Sequence, residues 1–183
     1  MTLDRGATID IAVCPHLPAR EEIELILLRY YETVVRRMRD EGIDVPDSAP
    51  QSALAELWGH LDGYMPPEGC IVLARQSDGM VAGIGMLKRL DPTTGELKRL
   101  YVTEAARGTG AGRKLVEARI AFARRAGLRR LVADTLRTNV EMRSLYAKLG
   151  FVESETPIET TTHRDQPMLR PYLHYFTLPL DTD

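Results

Sequence analysis

The chain has 183 residues, 44% of them hydrophobic, and 24 Lys and Arg against 26 Asp and Glu leave a net charge of -2. Apolar content this high at so low a net charge excludes a disordered chain and a polyanion-coating protein, and the length fits one domain over residues 1–183. Cys14 and Cys70 are isolated, with no Cys-x-x-Cys pair, which excludes a zinc ribbon and a secreted disulfide scaffold and makes a reducing cytoplasm the expected compartment.

Met1 to Asp10 is polar and has no apolar core of a secretory signal, and no stretch approaches the ~20 apolar residues of a membrane helix, so no membrane partner is expected. Ala7 to Cys14 alternates apolar and polar residues and predicts a first strand. From Pro18 to Gly42, Ile23, Ile26, Leu27, Tyr30, Tyr31, Val34 and Met38 recur at helical spacing. Gln51 to Asp62 is a second helix, with Leu54, Leu57, Trp58 and Leu61 on one face. Cys70 to Ala74 is a short apolar run that predicts a strand, and Ser77-Asp78-Gly79 a hairpin turn. Met80 to Leu87 returns, a turn follows at Asp91 to Gly95, and Glu96 to Thr103 is a third strand. Beyond Gly110 the pattern becomes helix to Ala126, strand Leu128 to Thr135, helix Thr138 to Leu149 and strand Phe151 to Ser154. Gly127 and Gly150 follow the two helices as C-terminal caps, and Thr138 with Glu141 reads as a capping box. A last strand near Leu173 to Leu180 completes an α+β domain with a mixed sheet.

The chemically informative stretch is Arg107-Gly108-Thr109-Gly110-Ala111-Gly112, between a strand and an amphipathic helix. Glycines there allow sharp turns and close approach of a ligand, and the helix start offers unpaired N–H groups and a positive dipole end. Arg107, Arg113 and Lys114 add positive charge. A P-loop would need Gly-Lys-Ser/Thr, but Gly112 is followed by Arg113, Lys114 and Leu115; a dinucleotide fingerprint fails on its third glycine. The residues alone fit a seat for a phosphate or pyrophosphate, or a helix-capping turn with incidental glycines.

The strand Leu97-Lys98-Arg99-Leu100-Tyr101-Val102, a four-residue spacer, the Arg-Gly-x-Gly-x-Gly loop and a helix resemble the GNAT family of N-acetyltransferases. A second block, Asn139 followed by Ser144-Leu145-Tyr146-Ala147-Lys148-Leu149-Gly150-Phe151, is similar to that family as well. The resemblance runs from about Cys70 to Phe151 and departs at Met142, where many relatives carry a small residue. It implies a GNAT-like acyl-CoA N-acyltransferase fold and attack of an amine on the thioester of acetyl-CoA. It also implies that Arg107, Gly108, Thr109, Gly110, Ala111, Gly112 and Arg113 hold the pyrophosphate. The backbone of Leu100, Tyr101 and Val102 would bind the pantetheine arm together with Asn139, and Tyr146 would meet the cofactor and protonate the leaving thiolate. For the base it offers Glu96, with Asp134 as a second candidate and an unassisted amine as a third course.

His16, His60, His163 and His174 lie at no metal-ligand spacing, so no metal is expected. His174, Tyr30 and Tyr31 are candidates for the acceptor wall. The expected activity is acetyl transfer to a primary amine of a small molecule or peptide; the alternative is a non-catalytic acyl-CoA-binding module of the same fold. No nucleic-acid partner is expected, and the resemblance allows a homodimer, a common state in the family. Lys88 to Arg130 holds 12 basic and 4 acidic residues, a local +8 against -10 elsewhere. That positive block coincides with the proposed coenzyme A site.

Overall fold

The run Cys70-Ile71-Val72-Leu73-Ala74 has no polar face to turn to water, so a strand made from it must be covered on both sides. That is what the computed structural model shows; it describes residues 8–180, so most of the N-terminal stretch read above, and Ala7 of the expected first strand, lie outside the described residues. The elements are β1 (Asp10–Val13), α1 (Arg20–Asp40), α2 (Ala49–Trp58), β2 (Gly69–Arg75), β3 (Val81–Arg89), β4 (Thr94–Val102), α3 (Ala111–Arg125), β5 (Arg130–Leu136), α4 (Val140–Lys148), β6 (Val152–Ser154), α5 (Thr161–Asp165) and β7 (Leu173–Pro179). The sheet runs β1-β2-β3-β4-β5-β7-β6, and β4–β5 is its parallel pair.

Strand alternation divides the core into two layers. Cys70, Val72, Leu87 and Leu97 pack with Leu115, Val116 and Ala123 of α3 and Tyr146 of α4. On the opposite face Ile71, Leu73, Ile84 and Met86 meet Ile23, Ile26 and Leu27 of α1 and Leu54 and Leu57 of α2. The turn at Asp91 is built by its carboxylate, whose Oδ1 accepts from the amides of Thr93 at 2.8 Å and Thr94 at 2.9 Å.

Several boundaries differ from the expectations for local reasons. Helix α2 stops at Trp58, and Leu61–Tyr64 forms a separate 3-10 turn. The cap of α4 is Asn139, not Thr138: Asn139 Oδ1 accepts from the Met142 amide at 3.3 Å. The stretch from Glu155 to Pro171, which had no readable pattern, contains α5 and a 3-10 turn over Pro167–Tyr172. Glu96, expected at the start of its strand, lies inside β4 and is fully buried.

Two features of β4 decide what the fold can do. The first is its short bond to β5: pairing joins Thr94–Glu96 to Arg130–Val132 and no partner follows, so the strands part beyond that point. The second is a bulge. Ile84 faces Tyr101 and Met86 faces Lys98, which sets Arg99 and Leu100 together against Gly85. Arg99 adopts φ +50°, the one positive-φ residue other than glycine among the described residues. Because a bulge resets alternation, the consecutive cations Lys98 and Arg99 both fall on the α1/α2 face, while Leu97, Leu100 and Val102 stay on the α3/α4 face.

A buried arginine pins this defect. Arg119, on the inner stripe of α3, is 0% exposed. Its Nε donates to Leu115 O at 3.0 Å, and its Nη1 to Met86 O at 3.0 Å and Lys98 O at 3.2 Å. The Met86 and Lys98 carbonyls flank the point where the bulge interrupts the β3–β4 ladder. Gly85 leaves room for the guanidinium, since a Cβ there would stand 2.9 Å from Arg119 Cζ and Nε.

Candidate active site

After β4 the chain makes a short turn over Glu104–Ala106, passes Arg107 in extended conformation and enters the glycine loop. Gly108 has φ +79° and Gly110 φ +84°, conformations that carry a steric penalty for any residue with a Cβ. A Cβ at either would meet nothing within 4 Å, so the space over the loop is open. Helix α3 then starts at Ala111. Its first-turn amides at Gly112 and Arg113 have no acceptor among the described residues, as the geometry of a helix start requires.

A cavity of about 690 Å³ begins at Arg107 and runs through the gap between β4 and β5. Both sheet faces contribute to its walls. Leu100, Val102, Met142 and Leu145 come from the α3/α4 side, and Tyr30, Tyr31, Arg99 and Asp134 from the α1/α5 side. The cavity therefore joins the two faces through the sheet. Of the residues expected to bind the cofactor, Leu100, Tyr101, Val102, Arg107 and Asn139 line it together. Gly108, Thr109, Gly110, Ala111, Gly112 and Arg113 continue from its Arg107 end as the open loop. Glu96 and Tyr146 are not on its wall.

Glu96 is spent on protein partners. Its oxygens accept from Lys98 Nζ at 3.0 Å, Thr161 Oγ1 at 3.0 Å and the Thr161 amide at 3.2 Å. Asp134, in contrast, lines the cavity, one oxygen held by the Thr160 hydroxyl. Burial lifts its carboxyl above the ordinary aspartate value, with Lys98 and the Thr160 hydroxyl pulling the other way. Tyr146, 3% exposed, packs against Phe151 and Phe176 with ring centroids 4.8 and 5.1 Å away. Burial pushes its phenol up to about 12, opposed by the charge of Arg119 and reinforced by the carboxylates of Asp134 and Glu96.

Tyr30 and Tyr31 lie on the cavity wall, whereas His174 does not and pairs with Glu153. His163 meets the Tyr175 hydroxyl at 2.7 Å. No group of three or more His, Cys, Asp or Glu suited to a metal occurs among the described residues. No helix among them is long and apolar enough to cross a membrane.

The profile of the acetyltransferase (GNAT) family matches residues 29–151. The chain belongs to the GNAT family. An uncharacterized N-acetyltransferase of Schizosaccharomyces pombe is 34% identical over 101 residues, 55% of this chain and 62% of the relative. An uncharacterized N-acetyltransferase of Mycobacterium tuberculosis is 35% identical over 88 residues, 48% of this chain and 56% of the relative. The chain thus spans less than two thirds of the length of these curated relatives. Among solved structures, a GNAT-family acetyltransferase of Staphylococcus aureus superimposes with a TM-score of 0.67 at 19% identity, covering 95% of this chain and 100% of that one. The acetyltransferase yncA of Salmonella typhimurium, solved with its cofactor acetyl-CoA, gives a TM-score of 0.64 at 19% identity over 97% and 96% of the two chains. These two likenesses bear on the fold.

Within this GNAT fold, three groups went unread in the sequence. Arg119 interrupts the apolar stripe Leu115, Val116, Ile120, Ala123, and a lone cation at core spacing was a usable signal. Lys98 and Arg99 lay within a recognised strand, but only the bulge turns both to one face. Thr160, Thr161 and Thr162, which hold Asp134, Glu96 and Lys98, lie in the segment without a pattern. A threonine at the N-cap, where Thr160 Oγ1 accepts from the His163 amide at 3.1 Å, was its legible trace.

Proposed function

We propose that this chain transfers an acetyl group from acetyl-CoA to a primary amine by direct attack. The observation that carries the reading is the cavity through the β4–β5 gap, lined by Arg107 where the glycine loop begins and by the half-buried carboxylate of Asp134. Acetyl-CoA, as co-substrate, supplies an activated carbonyl and a thiol leaving group. The loop amides and Arg107 hold its pyrophosphate, and the open space over Gly108 and Gly110 suits that group. Unpaired backbone of Leu100 to Val102, left free because β5 has diverged, binds the pantetheine arm, with Asn139 beside it. Asn139 Oδ1 is engaged in capping α4, so its amide group is the part that faces the cofactor.

The amine enters from the α1/α5 face. Asp134 takes its proton as the C–N bond forms, a role favoured by a carboxyl whose pKa burial raises above the ordinary aspartate value. Glu96 fixes Lys98 and the start of α5 and serves Asp134 from behind. Tyr146 stays protonated at neutral pH and hydrogen-bonds the sulfur. It gives up its proton as thiolate charge grows and the C–S bond breaks. The two free, buried thiols accord with the cytoplasm as the compartment.

The test is incubation of the full chain with acetyl-CoA and a panel of amines, following thiol release and the N-acetyl product by mass spectrometry. Product formed in step with thiol supports the assignment. Tight acetyl-CoA binding without product from any amine refutes it.

A further inference from the structure

The acceptor half of the cavity carries a cation without a directly paired carboxylate among the described residues. Of the two cations that the bulge turns to this face, Lys98 is neutralised: its Nζ lies 3.0 Å from Glu96 Oε1 and also donates to the Thr161 and Thr162 hydroxyls. Arg99 has no carboxylate within ion-pair distance among the described residues. Its Nε donates to Tyr31 Oη at 2.9 Å and its Nη1 to Tyr64 Oη, and its guanidinium lies 5.1 Å from the centroid of the Tyr64 ring. Nη2 donates to nothing among the described residues. Each phenol oxygen, having accepted from Arg99, still has its own O–H to give.

Arg99 and Tyr31 both line the cavity, so a free N–H, a free O–H and a guanidinium with no ion-pair partner within reach face one space. An unpaired cation at a low-dielectric wall is costly unless an anion completes it. Coenzyme A does not fill that role, because its phosphates belong to Arg107 and the glycine loop at the opposite end. Tyr30, half-buried on the same wall, lies with Arg99 and Asp134 on one lining, so the cation and the proposed base flank one compartment. Val45, Ala53, Leu169 and Leu173 supply its apolar lining.

We propose that the acceptor is an amine that also carries a carboxylate, of the amino-acid class, with the carboxylate on Arg99 and Tyr31 and the amine at Asp134. This rests on the transferase reading given above. Replacing a charge-assisted pair by nothing weakens binding by about tenfold or more.

The experiment titrates the full chain, saturated with coenzyme A, with the common amino acids and with the decarboxylated counterpart of each one that binds, by calorimetry. Acetyl transfer to the same compounds is measured in parallel. At least one amino acid should bind about tenfold more tightly than its decarboxylated partner. Arg99→Gln should erase that preference by weakening the acid alone, and Arg99→Lys should restore part of it if charge rather than packing is at work. Equal binding of the two partners, or a preference that survives Arg99→Gln, overturns the proposal. Acetylation of carboxylate-free amines alone overturns the carboxylate subsite and leaves the transferase standing. A binding preference without any acetylated product supports the subsite and refutes the transferase.

Discussion

Gly85→Ala places one methyl group where Arg119 must be. The added Cβ would stand 2.9 Å from both Cζ and Nε, closer than van der Waals contact allows, and β3 cannot yield because it is paired on both sides. The guanidinium must move, and it is held by Met86 O at 3.0 Å and Lys98 O at 3.2 Å. A hydrogen bond from a charged donor contributes about 1.5–3 kcal/mol, so losing or stretching two costs about 3 kcal/mol after partial readjustment. Loss of chain entropy in the unfolded Ala variant returns about 0.5 kcal/mol. The net loss of about 2–3 kcal/mol lowers Tm by roughly 4–12 °C for a chain of this size. Calorimetric melting measures it directly. Because Lys98 O opens the bulge that presents Leu100 to Val102, KM for acetyl-CoA should rise in the same variant. The decisive control is the Arg119→Met background, where the Gly85→Ala cost should shrink by about 2 kcal/mol. A cost under about 1 kcal/mol, or one unchanged by Arg119→Met, would refute the claim that this arginine pins the bulge.

Asp134→Asn removes a carboxyl whose folded pKa lies above its unfolded value. The native state therefore loses stability as pH rises from the unfolded pKa through the folded one, so the variant should melt higher than the parent at neutral pH, with the difference closing as pH falls; its turnover should drop by roughly 10²-fold or more. Tyr146→Phe should lower kcat by roughly 10²-fold with little change in KM for acetyl-CoA, measured by thiol release. With the phenol near 12, its titration should cause no loss of rate in parent assays up to about pH 10. Gly110→Ala forces a Cβ into φ +84° and should cost about 1–2 kcal/mol and raise KM for acetyl-CoA while KM for the amine stays put.

What the chain showed in sequence follows from which interactions are local. Helix periodicity in α1 and α3, the double-sided apolar run of β2, and the positive-φ glycines at 79, 108, 110, 127 and 150 are short-range and were legible. The insertion of β7 between β5 and β6 depends on pairing across dozens of residues, which no local pattern encodes. The candidate site divides in the same way. Its cofactor side is a contiguous strand–loop–helix and could be read. The acceptor side gathers α1, the bulge, the end of β5 and the threonines before and within α5 from distant stretches. Glu96 illustrates the gap: its place in a strand was readable, but the Thr161 amide and hydroxyl that hold it come from α5, in a stretch with no local pattern.

One extra residue in β4 accounts for much of the geometry of the proposed reaction. Had β4 continued in register, Lys98 and Arg99 would face opposite layers, and Arg99 would drive a guanidinium into the apolar packing of α3. The bulge instead sends Arg99 to the acceptor wall and returns Leu100 to the α3/α4 face. The strand therefore stays apolar toward α3 and α4 and cationic toward α1 and α5. The same defect breaks the β3–β4 ladder at Gly85, and Arg119 restores the hydrogen bonding there from the opposite layer. Its Nη2 remains buried and unpartnered among the described residues, and its charge acts on Tyr146. The cation that steadies the bulge thus also lowers the cost of negative charge on the Tyr146 oxygen. Replacing Arg119 should therefore disturb stability, cofactor affinity and proton delivery together, whereas replacing Arg99 should disturb acceptor choice.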